Sequence, residues 1–136
     1  MSKPIPTVQK YMSTSPLTIR PDLTLSAADK LMHDHGIRHL PVLDGGRLMG
    51  LLSQRDIRLV ETLKDVDPKV VKAEEAMSQD IYEITPDTPL DEVASSMASH
   101  KYGSAIVVQN GKVVGIFTTV DALKALSDLL HTRLAH

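Results

Sequence analysis

Apolar residues fall along this chain in two textures that alternate in a fixed order. Leu25, Ala28 and Met32 follow the i, i+3, i+7 spacing that gathers side chains on one helix face, with Leu31 flanking them. Leu40-Pro41-Val42-Leu43 and Leu48-Met49-Gly50-Leu51-Leu52 are instead short continuous runs, the texture of buried strands, joined across the turn-forming stretch Asp44-Gly45-Gly46-Arg47. The pattern predicts a short strand at Leu17-Thr18-Ile19, ended by Pro21, which cannot donate to a ladder. A helix follows from the Thr24-Leu25-Ser26 start to about His35, with Gly36 as its left-handed terminator. The hairpin comes next, and a second helix from Arg55 to about Leu63.

The same order then returns. Shifted by 65 residues, Val8 to Ile57 aligns without a gap on Ala73 to Ala122, and twelve positions are identical: Met12/Met77, Ser13/Ser78, Ile19/Ile84, Pro21/Pro86, Asp22/Asp87, Leu25/Leu90, Met32/Met97, His35/His100, Val42/Val107, Gly46/Gly111, Gly50/Gly115 and Asp56/Asp121. In the second copy Ala105-Ile106-Val107-Val108 turns through Gln109-Asn110-Gly111-Lys112, whose Asn-Gly pair is the stronger hairpin signal, and a helix runs from Val120 to about Leu130. Residues 8–63 and 73–130 therefore read as two β-α-β-β-α units with 64–72 as linker. One such unit buries little surface alone, so the expected fold is α+β, with the two units packed sheet to sheet about an approximate twofold axis.

Composition narrows the function classes. With three Tyr, one Phe and no Trp, the core must be built from Leu, Ile, Val, Ala and Met. A formal charge of -2 gives no overall basic field, so neither nucleic acid nor an anionic membrane is an expected partner. The absence of cysteine excludes disulfides, thiolate metal sites and thiol nucleophiles. No apolar segment is long enough to span a bilayer, and the opening MSKPIPTVQKYM has no signal-peptide core, which makes a cytoplasmic protein the expectation.

Candidate chemistry lies where each hairpin runs into a helix. Gly50-Leu51-Leu52-Ser53-Gln54-Arg55-Asp56 and Gly115-Ile116-Phe117-Thr118-Thr119-Val120-Asp121 share the pattern glycine, two apolar residues, Ser or Thr, two residues, Asp. One reading is a capping box that stabilises a helix start. The other is a ligand site, because a helix N-terminus attracts phosphate and a fixed carboxylate there can accept both hydroxyls of a ribose. The glycine leaves room for a ligand or a neighbouring backbone. His33, His35 and His39 cluster with Asp34, but positions 33 and 35 do not share a helix face and a histidine near a helix C-terminus suits the dipole, so they read as structural rather than as metal ligands. Ser53 and Thr118 lack a local base with an orienting partner, so no catalytic residue is assigned and the chain is not expected to be an enzyme.

The paired units, the Gly-x-x-Ser/Thr-x-x-Asp ends, the run His35-Gly36-Ile37-Arg38-His39-Leu40-Pro41-Val42 and the openings Met12-Ser13 and Met77-Ser78 resemble the CBS-domain family. The pair is similar to a Bateman module, and among stand-alone modules to the acetoin-utilisation-type CBS proteins. The resemblance implies a regulatory module binding AMP, ADP, ATP or S-adenosylmethionine in clefts between the copies. Carried onto this sequence, the first cleft would use Thr18 and Ile19 for the base, His39, Leu40 and Pro41 for the wall, and Ser53, Arg55 and Asp56 for phosphate and ribose, with Arg38 part of a basic, phosphate-friendly pattern. The second would use Ile84, Tyr102, Gly103, Ser104, Ala105, Thr118 and Asp121. Arg38, His39 and Arg55 become Gly103, Ser104 and Val120 in the second copy, and Thr18 becomes Glu83. The first site is therefore expected to favour phosphorylated ligands, and the second to be weaker, empty or suited to a less negative ligand. The resemblance also implies a homodimer formed through helices and signalling to a separate protein. The alternative is a ligand-free interaction scaffold with vestigial clefts.

Overall fold

A computed structural model describes residues 4–133 of the chain. Its contacts divide it into two compact units: a first unit, Pro16–Ile81, and a second unit built from Tyr82 onward together with the segment that ends at Ser15. The repeat in the sequence and the units in space are thus offset, because the opening of each repeat packs into the body of the other. A 3-10 turn, Val8–Lys10, and strand β1, Ser13–Thr14, belong to the second unit, where Val8 N–H donates to Thr88 O and β1 pairs antiparallel with a later strand. The Tyr11 hydroxyl donates to the Asp128 carboxylate and fastens the same segment further along.

The first unit contains α1 (Leu25–His35), β2 (His39–Asp44), β3 (Arg47–Ser53), α2 (Gln54–Glu61) and the short α3 (Ala73–Ala76). Thr24 caps α1 by accepting from Ala27 N–H, and Gly36 ends it at φ 62°, as its position after the apolar stripe predicts. β2 and β3 form an antiparallel hairpin whose turn residues Gly45 and Gly46 both have positive φ, the requirement of a tight right-twisting turn. The strand predicted at Leu17-Thr18-Ile19 contracts to one parallel bridge, Ile19 to Val42, held by Ile19 N–H to Pro41 O and Leu43 N–H to Ile19 O. Pro16 and Pro21 flank it and offer no donors to lengthen it.

The second unit repeats this with β4 (Glu83–Ile84), α4 (Leu90–His100), β5 (Ser104–Gln109), β6 (Lys112–Thr118) and α5 (Thr119–Arg133). Its sheet order is β1-β6-β5-β4, with β4 parallel to β5 and the other pairs antiparallel. Both hairpins shift register at equivalent places, between Val42 and Leu43 and between Val107 and Val108.

The cores show how faithfully the repeat is built. The first consists of Ile19, Leu25, Ala28, Met32, Leu40, Val42, Leu52, Ile57 and Ala73, and the second of Val8, Ile84, Leu90, Val93, Met97, Ala105, Val107, Phe117 and Ala125. All but Ile57 and Ala125 are related by the 65-residue shift. Ala73 of the second repeat completes the first core, and Val8 of the first repeat completes the second. Where one core has Leu40 and Leu52, the other has Ala105 and Phe117, a small-for-large exchange that conserves volume in an otherwise aliphatic interior.

The crossed openings also account for the repeated glycine. A Cβ at Gly50 would stand 2.5 Å from Met77 Sδ and 2.9 Å from the Ser78 carbonyl oxygen, and one at Gly115 would stand 2.6 Å from Met12 Sδ. Of the two uses open to this glycine, the close neighbour is the protein's own chain. Met12 and Met77 pack on the cores as flexible filler.

Candidate functional site

In the first unit, β3 delivers Ser53 to the start of α2. Ser53 Oγ accepts from Asp56 N–H at 3.1 Å, and Asp56 Oδ2 accepts from Ser53 N–H at 2.9 Å, a complete capping box. The helix-capping reading is therefore correct as geometry, yet it engages only one carboxylate oxygen. Among the described residues Asp56 Oδ1 receives no hydrogen bond, and the residue is half-buried, so the carboxylate is fixed in direction and still accessible. Ser78, related by the repeat to Ser13, accepts from Asp80 N–H instead of reaching Asp56.

Two arginines belong to the backbone segments that meet at this helix start. Gln54 N–H donates to Arg38 O at 2.8 Å, tying the start of β2 to the start of α2, and both Arg38 and Arg55 are exposed. His39 lies opposite Ser53 in the ladder. Burial pushes its imidazole below the ordinary value, the Asp56 charge opposes that shift, and the Arg38 charge adds to it, so the ring tends to stay neutral. Thr18 and Ile19 line an open groove of about 490 Å³ with Arg20, Asp22, Leu23 and Leu31. Neither Arg20 nor Asp22 was assigned to a site from the sequence; their signal is a charged pair in the loop between Ile19 and the α1 cap. The Leu40 side chain is fully buried in the unit's core, and Pro41 is buried too.

The equivalent place in the second unit is filled from within. Asp121 is buried, and its Oδ2 accepts from Thr118 N–H at 2.9 Å and Thr118 Oγ1 at 3.2 Å, while Thr118 Oγ1 accepts from Asp121 N–H at 3.3 Å. Ser13 Oγ, brought in by β1, donates to the same carboxylate at 3.3 and 3.4 Å from its two oxygens. Gly103 is exposed and its carbonyl accepts from Thr119 N–H, the counterpart of the Arg38 to Gln54 tie. Tyr102 stacks between Tyr82 and His100, with ring centroids 5.3 and 5.4 Å apart. Ile84 and Ala105 belong to the core cluster, and Val120 is exposed. Ser104 is 4% exposed and its hydroxyl has no hydrogen-bond partner among the described residues.

His33 and His35 are exposed, and no three His, Asp or Glu side chains among the described residues form a group able to hold a metal ion. None of the described helices is long and apolar enough to cross a membrane.

Comparison with known proteins adds the family frame. The family model of the CBS domain matches twice, at residues 8–61 and 73–128. The chain is 31% identical over 114 residues to the CBS domain-containing protein YhcV of Bacillus subtilis, covering 84% of this chain and 81% of that one. Its fold is similar to the crystal structure of a putative acetoin utilization protein (AcuB) from Vibrio cholerae, with TM-score 0.86, 30% identity and 98% of both chains covered. It is also similar to the CBS domain pair of protein MJ0100 in complex with 5-methylthioadenosine and S-adenosyl-L-methionine, with TM-score 0.83, 28% identity, and 92% and 98% of the two chains covered. Longer proteins match over a smaller share, as in L-aspartate semialdehyde sulfurtransferase of Methanocaldococcus jannaschii, of which the chain spans 23%.

Proposed function

The chain belongs to the CBS domain family as a tandem pair, a regulatory module, and from that premise we propose that its first unit is the receptor for an adenine nucleotide. The observation that carries this reading is the half-open Asp56. One oxygen is locked by the capping box and the other is free to accept a ribose hydroxyl, beside the exposed cations Arg38 and Arg55 and the α2 N-terminus that suit a phosphate. The MJ0100 domain pair, in complex with 5-methylthioadenosine and S-adenosyl-L-methionine, supports an adenosyl ligand class. The arginines favour a phosphorylated member of it: AMP, ADP or ATP. In this proposal the chain has no catalytic role, works in the cytoplasm, and passes ligand occupancy to a partner protein or to its own self-association.

A second reading, a docking scaffold or homodimer, has its own support. Val120, Leu123, Leu126 and Leu130 on α5 and Leu59 and Leu63 near α2 are all exposed. The two readings separate in a thermal-unfolding panel of AMP, ADP, ATP, S-adenosylmethionine and GMP. A receptor gains about 2.7 kcal/mol at roughly a hundred times its dissociation constant, a shift of several degrees for a chain of this size. No shift with any adenosyl compound would leave the scaffold.

A further inference from the structure

The helix pair of the second unit leaves open a space whose counterpart in the first unit carries larger and charged side chains. Leu90, Phe117, Leu126 and Leu129 wall a groove of about 300 Å³, and Ala94, Ala122 and Ala125 line it with them. The 65-residue shift places Ile57 and Val60 where the second unit has Ala122 and Ala125, and Asp29 and Glu61 where it has Ala94 and Leu126. In the first unit Ile57 and Val60 pack into the core, and Arg58 meets Asp29 of α1 at 3.2 Å and Glu61 at 2.6 Å. Reducing Ile and Val to Ala in a packed interior costs stability through the space left behind. The second unit keeps that space, at the small end of the roughly 300–1,000 Å³ of ligand pockets.

One end of the groove is charged. Leu90 N–H donates to Pro6 O at 2.9 Å and the Arg133 guanidinium donates to Pro4 O at 3.0 Å, so residues 4–6 draw the start of α4 and the end of α5 together. Asp91, in the first turn of α4, and Arg133, in the last turn of α5, line the groove there, whereas Ala122 lies in the opening turn of α5. Among the described residues neither Asp91 nor Arg133 has an ion-pair partner, and Arg133 keeps further N–H donors beyond the one on Pro4. We infer that this groove binds a free apolar amino acid: its side chain occupies the space the alanines leave, Arg133 pairs with its carboxylate and Asp91 with its ammonium group. A fatty acid would set its carboxylate against Asp91, and an apolar amine would set its charge against Arg133, while the zwitterion complements both. The site lies in the other unit from Asp56, so it gives the module a second input of different chemistry.

Titration calorimetry of the full chain with L-leucine and L-phenylalanine tests this, with 4-methylpentanoate and 3-methylbutylamine as leucine analogues that each lack one charge. At least one of the two amino acids should bind, and each analogue should bind at least about tenfold more weakly than leucine, the factor carried by one charge-assisted hydrogen bond. Arg133→Gln and Asp91→Asn should each cost a similar factor. Leu126→Glu, which installs the first unit's residue on an exposed position, should weaken binding as well, and ligand-free melting curves establish that all three variants fold. Three results would each overturn the inference: no binding of either amino acid, 4-methylpentanoate binding as tightly as leucine, or unchanged affinity in folded Arg133→Gln. If neither amino acid binds and Leu126→Glu converts a dimer to a monomer in sedimentation, the groove belongs to a second copy of the chain instead. AMP titrated into the same variants reads the first unit's site separately, so failure of either claim leaves the other measurable.

Discussion

At Asp56 the carboxylate closes a capping box through one oxygen and leaves the other without a partner among the described residues, whereas at Asp121 both oxygens meet donors from Thr118 and Ser13. The local sequence is almost the same in the two places, glycine, two apolar residues, a hydroxyl residue and an aspartate, and it encodes the same helix start. What separates them is a neighbour far away in the chain. Ser13 reaches Asp121 on β1, while its repeat equivalent Ser78 turns to the backbone of Asp80. A motif thus sets the local geometry, and the company around it decides whether the carboxylate is structural or available.

The two units should differ most in stability at their repeated glycines. At Gly50 an added Cβ meets the Ser78 backbone carbonyl as well as Met77, whereas at Gly115 its three nearest neighbours are all atoms of the flexible Met12 side chain. Gly50→Ala should therefore destabilise by about 1–3 kcal/mol, in the range of forced overpacking, and Gly115→Ala by less than about 1 kcal/mol. Urea denaturation of both variants checks the order. Equal losses would mean that the two crossed openings are seated alike.

A smaller effect should appear in the pH dependence. Burial disfavours charged His39, so its pKa is lower in the folded chain than in the unfolded one, and the unfolded chain binds more protons. The stability that neutral His39 contributes is fully present above its unfolded pKa of about 6.5 and is lost as pH falls through the depressed folded value. Ser104 at the equivalent position has nothing to titrate. Melting temperatures measured between about pH 7.5 and 5, the range that brackets the histidine, should fall more steeply for the natural chain than for His39→Asn. Parallel curves would show that the imidazole is solvated in the folded state.

Much of the fold was legible because its signals are local. The stripe Leu25, Ala28, Met32, the terminator Gly36 and the Asn110-Gly111 turn each act within a few residues, and the 65-residue repeat certified them by occurring twice. The crossed openings were not legible, because the pairing of Ser13 and Thr14 with Ile116 and Gly115 joins segments far apart in the chain. Identical Met-Ser pairs at 12–13 and 77–78 also gave no hint that one serine would engage its aspartate and the other would not. In the candidate site, Asp56, Arg55, Arg38 and His39, which the family resemblance implied, lie around one helix start. Leu40 and Ala105 carry the same motif signal, yet their side chains serve the cores, because alternation along a strand sends successive side chains to opposite faces.

AMP titration calorimetry on Asp56→Ala and Asp121→Ala distinguishes an available carboxylate at Asp56 from a structural one at Asp121. Asp56→Ala should lose at least about tenfold in AMP affinity, the factor carried by a single charged hydrogen bond. Asp121→Ala should keep its affinity within about twofold while losing about 1–2 kcal/mol of stability, because it leaves the Thr118 and Ser13 donors unmet. Equal loss of AMP affinity in both variants would mean that the two carboxylates serve the ligand alike.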